Sequence, residues 1–269
     1  MPAEKLILEI ADTHAGSAFG LTHPDFDARP DCDSGQPSYK LYQLRRRFWK
    51  WFDAEIERLG HIDILIANGD LIDGKGTRSG GTELLTADRT EQTDEAAATI
   101  DRINADANFI TFGTPYHVGA DEDWEREVAR KIKHCEGIAE HLFVTVNGLK
   151  FDCRHFVGVS SVPYGRGTPV DKERVQGIVS ASVGQYPRDV GVVMRSHTHW
   201  HQYNRNELGV QMSTPCLQLS SKFGRTLKSG PISVGMYAFQ VTDGETWSEQ
   251  WMRYQLRSLF PEYEVPEST

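Results

Sequence analysis

Two apolar runs that each lead to an aspartate, with a helix-length segment between them, constrain the fold of this chain more than any other feature. The run KLILEI leads to Asp12, and the run IDILIAN leads to Asp70. Between them, apolar side chains recur near helical spacing, with Ser38 as the predicted N-cap and Gly60 as the predicted stop. Strand, helix and strand in this order build a parallel sheet, whose ligands gather beyond the carboxyl ends of the strands.

The alternation of strands and helices continues, and the second half becomes more antiparallel. Residues 142–156 are two β-runs joined by Asn147-Gly148, a pair typical of tight hairpins. The other predicted elements are helices over 87–108, 121–137 and 169–186, a strand that begins at Phe109, and a strand over 190–204. The pattern predicts an α/β fold, a layered β-sandwich of mixed sheets flanked by helices. Because no linker divides the chain, we expect a single domain over residues 1–269.

Composition is typical of a soluble globular protein without a membrane partner. Apolar residues make up 39% and charged residues 25% of the chain, and no run approaches the roughly 18–20 apolar residues of a membrane helix. The N-terminal apolar run is too short for a signal peptide, and the four cysteines form no CxxC pair, so we expect a cytoplasmic protein. The net charge of -9 disfavours nonspecific binding of duplex DNA.

The stretch RSHTHWH places His197, His199 and His201 on alternate positions. If the segment is extended, all three imidazoles point to one side, where they suit a divalent metal ion better than an apolar core. An isolated HxH fits a polar edge strand equally well, so matching ligands elsewhere must decide. The chain supplies such residues at other predicted strand ends, namely Asp12, His14, Asp70, His117 and His155.

The order of these motifs resembles that of the calcineurin-like metallophosphoesterases. The matching motifs are DxH (Asp12, His14), GDxxD (Asp70, Asp73), a lone His (His155) and HxH (His197, His199). The resemblance implies a four-layer αββα arrangement and a site for two divalent transition-metal ions, with Mn expected and Fe, Zn or Ni as alternatives. The implied ligands are Asp12, His14 and His199 for the first ion, His155 and His197 for the second, and Asp70 as the bridge.

The chain departs from the family pattern at two points. Ser196 replaces the glycine before HxH, an exchange between small residues that we expect to be harmless. The GNH motif is replaced by Gly113-Thr114-Pro115-Tyr116-His117, so the Asn ligand of the second ion is missing. Thr114 could replace it through its hydroxyl, or His117 could become a ligand. Alternatively, His117 keeps the catalytic role of the family's His.

Two further side chains are candidate contacts for a metal or substrate. His201 extends the histidine row, although the family requires no third His there. Arg166 lies in the glycine-rich segment SVPYGRGTP and could contact a phosphate, because a guanidinium matches phosphate oxygens; a structural turn fits equally. The basic and aromatic run RRRFWKWF fits an amphipathic helix packed on the sheet better than a nucleic-acid surface.

The expected function is metal-dependent hydrolysis of a phosphoester, with Asp70 and His117 as catalytic residues. A phosphodiesterase or nuclease is favoured, with a nucleotide or nucleic acid as substrate. The alternatives are a phosphomonoesterase or protein phosphatase, a mononuclear metal-binding protein, and a catalytically weak scaffold of the same fold. The motifs do not give the oligomeric state.

Overall fold

The computed structural model describes residues 3–119, 123–160, 162–220 and 232–255. The strands are β1 (Lys5–Ile10), β2 (Ile64–Asn68), β3 (Ala107–Thr111), β4 (Cys135–Ala139), β5 (His141–Val146), β6 (Leu149–Arg154), β7 (Val190–Arg195), β8 (Gln202–Asn206), β9 (Gly209–Ser213), β10 (Gly235–Val241) and β11 (Trp247–Arg253). The helices are α1 (Pro37–Leu59), α2 (Arg89–Ile103), α3 (Pro115–Val118), α4 (Trp124–Lys131) and α5 (Thr168–Ser182).

The first sheet has the strand order β11-β10-β1-β2-β3-β4. Strands β1 to β4 are parallel, whereas β10 and β11 run antiparallel along the other edge. Because side chains alternate along a strand, Leu8 of β1 faces the helices while its neighbour Ile7 faces the second sheet. Phe48 and Phe52 of α1 are fully buried against the helix-facing side, which also receives α2 and α4.

The second sheet has the order β5-β6-β7-β9-β8, with β6, β7 and β9 parallel and the two edge strands antiparallel. Ile66 and Phe239 of the first sheet pack against Phe151 of the second in a buried apolar layer. Val170 of α5 packs with Val193 on the outer face. The layers therefore run helix, sheet, sheet, helix, which confirms the predicted fold class.

Several local predictions are confirmed and others are corrected. Asn147 and Gly148 form the hairpin turn, with φ of 47° and 90°, and Gly60 ends α1 with φ of 73°. The predicted N-cap Ser38 is wrong, because Pro37 already occupies the first helical turn and Gln36 is the cap residue. The helix predicted through Gly137 ends at Lys131.

Strand β4 is the element that the sequence pattern missed. Its five residues, CEGIA, have little strand propensity, but they pair in parallel with β3 at the edge of the first sheet. Pairing with a preformed neighbour therefore decides the conformation of this segment. In the described part of the chain, no helix is both long enough and apolar enough to span a membrane.

Candidate functional site

The six predicted metal ligands converge at one edge of the two sheets. Asp12 and His14 follow β1, Asp70 follows β2, His155 follows β6, and His197 and His199 follow β7. They form two groups, each with ligand atoms within 4.8 Å of one another. The first group is Asp12, His14 and His199, and the second group is Asp70, His155 and His197.

The two groups lie directly beside each other. The Nε2 atom of His155 is 2.9 Å from Asp70 Oδ2 and 4.0 Å from Asp12 Oδ1. The Nε2 atom of His199 is 3.0 Å from the same Asp12 oxygen. A carboxylate from each group thus lies within reach of the His155 imidazole, as adjacent metal sites require.

A third overlapping group consists of Asp70, His14 and His117. His117 Nε2 lies 3.9 Å from Asp70 Oδ2, and the His117 and His14 rings meet edge to face with centroids 4.5 Å apart. The imidazole of His117 therefore lies beside the predicted ligands. Asp70 belongs to both this group and the second group, which is the position expected of a bridging carboxylate.

The backbone of the HxH segment is not extended, and this prediction from the sequence is wrong. Strand β7 ends at Arg195, and both His197 (φ of 67°) and His199 (φ of 57°) adopt the left-handed conformation. His201 points elsewhere, donating from Nδ1 to the Ser213 carbonyl at 2.9 Å. Its ring packs 4.5 Å from the Trp251 ring, so it lies outside the ligand groups.

Positive φ is concentrated at this site. Nine non-glycine residues of the described chain have positive φ, and five of them are predicted ligands: Asp12, His14, Asp70, His197 and His199. Such backbone costs about 1–3 kcal/mol per residue and persists where the surroundings enforce it, often at functional sites. Each left-handed residue turns the chain sharply after a strand, which aims the side chain across the sheet edge.

Two glycines permit the close approach of the ligand loops. A Cβ atom on Gly69 would lie 2.6 Å from Cγ of His155, and the φ of Gly69 is 79°. A Cβ atom on Gly113 would lie 2.2 Å from Asp70 Oδ1. No side chain fits at either position without displacing a ligand.

Glu125 is a supporting residue that the sequence reasoning missed. It is fully buried in the first turn of α4. One carboxylate oxygen accepts from the Leu71 N–H at 3.0 Å, and the other accepts from the Gly113 N–H. It thereby joins the loop that follows Asp70 to the loop that carries Thr114. Burial and the nearby Asp70 charge raise the pKa of Glu125 to about 8.

Hydrogen bonds to backbone carbonyls fix the orientation of two imidazoles, and a carboxylate lies against a third. His155 Nδ1 donates to the Asn68 carbonyl at 2.7 Å, and His117 Nδ1 donates to the Asp73 carbonyl at 2.9 Å. Because a carbonyl only accepts, the Nε2 atom of each ring is left facing the carboxylates. The Asp73 carboxylate lies 3.0 Å from His14 Nδ1, so the last residue of GDxxD orients a ligand of the first group.

The electrostatics of the cluster are those of a cation site. Burial alone would raise the pKa of Asp12 and Asp70, but the neighbouring imidazoles lower both well below their usual range. Burial opposes protonation of His14 and His155, yet the surrounding carboxylates raise their pKa values to about 10 and about 9. These buried carboxylates favour protonated imidazoles beside them. The same negative charge suits divalent ions, which would replace the imidazole protons.

The donor set fits the predicted metal ions. Among the described residues, Asp12 Oδ1 and His155 Nε2 are buried and lack a hydrogen-bond partner of good geometry. Unsatisfied buried polar atoms are rare and call for an explanation such as an ion. The mixture of carboxylate oxygens and imidazole nitrogens suits transition metals better than Mg or Ca.

The remaining candidates lie at the margins of the cluster. The Thr114 backbone N–H donates to Asp70 Oδ1 at 2.7 Å, and its hydroxyl lies 3.1 Å from the same oxygen. Thr114 therefore orients the central carboxylate. The Arg166 guanidinium lies 4.7 Å from the centre of the Trp200 ring, next to the HxH loop.

The chain is similar to several solved structures, although no family model and no curated protein sequence matches it. Wild-type Vps29 complexed with zinc, from Entamoeba histolytica, has 13% identity and a TM-score of 0.40 over 92% of this chain and 98% of its own. A predicted phosphoesterase from Streptococcus pneumoniae has 9% identity and a TM-score of 0.39 over 94% and 100%. An archaeal phosphodiesterase has 14% identity and a TM-score of 0.40 over 92% and 99%.

These three structures have the calcineurin-like metallophosphoesterase fold. The fold of this chain is read from its own sheet order and from the convergence of its motif residues. On that ground the resemblance predicted from the sequence is confirmed.

Gly113→Ala should reduce metal affinity by about 10–100-fold, because the added Cβ displaces the Asp70 carboxylate. Metal titration of the purified variant measures the effect. Gly35→Ala is the matched control, because no atom lies within 4 Å of the Cβ position at Gly35. Wild-type metal affinity in Gly113→Ala would contradict the close approach.

Metal uptake should release about two protons per chain near pH 7.5, because His14 and His155 hold protons there and a metal ligand must be a neutral imidazole. Affinity should therefore increase as the pH rises towards 9–10. Calorimetric titration with Mn²⁺ in HEPES and in Tris measures the protons released. His61→Ala, on the exposed surface, should leave the count unchanged, and identical heats in both buffers would refute the prediction.

Proposed function

We propose that this chain is a metal-dependent phosphoester hydrolase with a dinuclear site for transition-metal ions. Mn is the metal that we expect before Fe, Zn or Ni. The observation that carries the proposal is the place of the buried Asp70 in two overlapping groups of ligands. Two divalent ions held in this way supply an activated water and positive charge for the phosphoryl oxygens. Asp12, His14 and His199 would hold one ion, and His155 and His197 the other.

We further propose that His117 serves as a metal ligand, in the group that it forms with Asp70 and His14. The His117 Nδ1–H donates to the Asp73 carbonyl. When the ring is neutral, Nε2 therefore carries the lone pair, and this atom faces Asp70. Burial lowers the pKa of His117, which favours the neutral form that a ligand needs. A general acid would instead have to hold a proton at Nε2. Thr114 supports this assignment, since its N–H and hydroxyl are both directed at Asp70.

The proposed substrate is a phosphodiester of a nucleotide or nucleic acid, and the proposed compartment is the cytoplasm. His197, with 29% of its side chain exposed, and His117, with 17%, form the solvent side of the cluster. Arg166 on the neighbouring loop is the proposed contact for a phosphoryl oxygen. The acidic net charge of -9 favours small or single-stranded substrates over long duplex DNA.

Chain purified without chelator should contain close to two metal ions per chain, and Asp70→Asn should lose at least one of them together with activity. In Mn²⁺, the wild type should hydrolyse bis(p-nitrophenyl) phosphate faster than p-nitrophenyl phosphate. Elemental analysis and the two chromogenic assays measure this.

Asp106→Asn is the control, because Asp106 belongs to the exposed acidic group with His61 and Asp63. It should keep full metal content and activity. One metal per chain would favour the mononuclear alternative, and none would favour the scaffold. A clear preference for the monoester would contradict the substrate class.

His117→Ala should lower the occupancy of one metal as well as turnover, because a ligand is removed. Metal analysis beside kinetics separates the two roles of this residue. As a general acid, His117 would leave both ions bound while turnover fell by roughly 10²–10⁴-fold, with a smaller loss for a good leaving group. Full occupancy with unchanged turnover would exclude both roles.

A further inference from the structure

A pocket of about 790 Å³ opens beside the second ligand group, within the size range of small-molecule sites. Its lining includes Thr114, which donates to Asp70, and Phe156, which directly follows the ligand His155. The centroid of the Phe156 ring lies 5.1 Å from that of His197. The pocket is therefore within reach of a substituent of a phosphoester held at the ligand groups.

One side of the pocket is apolar and aromatic. Phe112, Pro115, Val118 and Phe156 line it. Phe156 is 54% exposed despite its size, so its ring is open to a ligand. The Arg126 guanidinium lies 5.2 Å from the centre of the Phe112 ring and covers it from one side. An exposed aromatic ring beside a polar reaction site is a surface on which a planar group can stack.

The charges of the pocket disfavour an anion. Among the described residues of its lining, the acids are Asp123, Glu140 and Glu173. Asp123 is paired with Arg126, and Glu173 is paired with Arg195 as well as with the lining residue Arg154, so the excess negative charge is that of Glu140. In the Arg154 pair, Nη2 lies 2.5 Å from Glu173 Oε1. A phosphate in the pocket would meet the Glu140 carboxylate, whereas an amino group on a ligand would find an acceptor there.

We propose that this pocket binds a planar aromatic, non-anionic substituent of the phosphoester substrate, and that it disfavours a substituent bearing a further phosphate. A nucleobase has the required shape and amino groups. The inference rests on the proposed phosphoester chemistry of the adjacent site. It predicts preference for compact diesters with an aromatic group over a continuing polynucleotide chain.

The test compares adenosine 5′-monophosphate with ribose 5-phosphate in calorimetric titrations of the Mn²⁺-loaded protein. The two probes differ only in the base, so the ratio of their affinities isolates the pocket. We expect the base to strengthen binding by about tenfold or more. Phe156→Ala should bring this ratio close to one. Tyr164→Ala is the matched control, because Tyr164 is an exposed aromatic residue (95%) of the same loop that does not line the pocket.

Equal affinities of the two probes in the wild type, or an unchanged ratio in Phe156→Ala, would overturn the proposal. Adenosine 3′,5′-bisphosphate should bind no more tightly than the monophosphate. If it bound tenfold more tightly, the pocket would instead accommodate a nucleic-acid backbone.

A failure of the proposed function is recognised separately. If the protein takes up no metal and hydrolyses no phosphoester, the hydrolase assignment fails, whereas adenosine can still be titrated into the metal-free chain. Saturation-transfer NMR should then detect the adenine protons in the wild type and in Tyr164→Ala, but not in Phe156→Ala. An absent signal in the wild type would overturn the pocket assignment on its own.

Discussion

Asp12 and Asp70 are carboxylates with at most 1% of their surface exposed, and they lie within 4.0 Å of the same His155 nitrogen. Two carboxylates buried away from water are unfavourable unless positive charge compensates them. The carboxylates raise the pKa of His14 to about 10 and that of His155 to about 9, which favours imidazolium ions as the compensating charge. Divalent ions would supply it more completely. The loops, glycines and supporting hydrogen bonds around the site serve to hold these two carboxylates together.

The site requires a fixed position of one sheet relative to the other. The carboxylates come from the first sheet, whereas His155 and the HxH loop come from the second. A polar contact beside the site adds to the apolar layer that packs the two sheets together. Asn68, the last residue of β2, donates to Ser196 Oγ at 2.7 Å and accepts from Thr111 at 2.8 Å. Its carbonyl also receives the His155 Nδ1–H. Ser196 therefore has a function of its own, which a glycine at that position could not perform.

The sequence predicted the parts of the site that depend on local pattern. Apolar runs that end in Asp12 and Asp70 mark strand ends, and parallel strands bring such ends to one edge whatever the details. The alternation of His197 and His199 was a misleading signal of a strand, since both residues are left-handed. Glu125 was missed because nothing in its surrounding sequence distinguishes a buried acid from the acidic first turn of an ordinary helix. Its partners are backbone N–H groups, which nearly every residue has, so no residue type in the sequence marks them.

Exposure divides the cluster into a buried side and an open side. His155 and Asp70 form the buried side, with 0% and 1% of their side chains exposed, so solvent and ligands do not contact them directly. His197 and His117 are partly open at 29% and 17%, and the pocket beside Phe156 adjoins the same face. A ligand that reaches the cluster must therefore approach across these two imidazoles. His117, which follows Pro115 and Tyr116, thus lies on the open side of the cluster, where its replacement would alter the approach of a ligand as well as the binding of a metal.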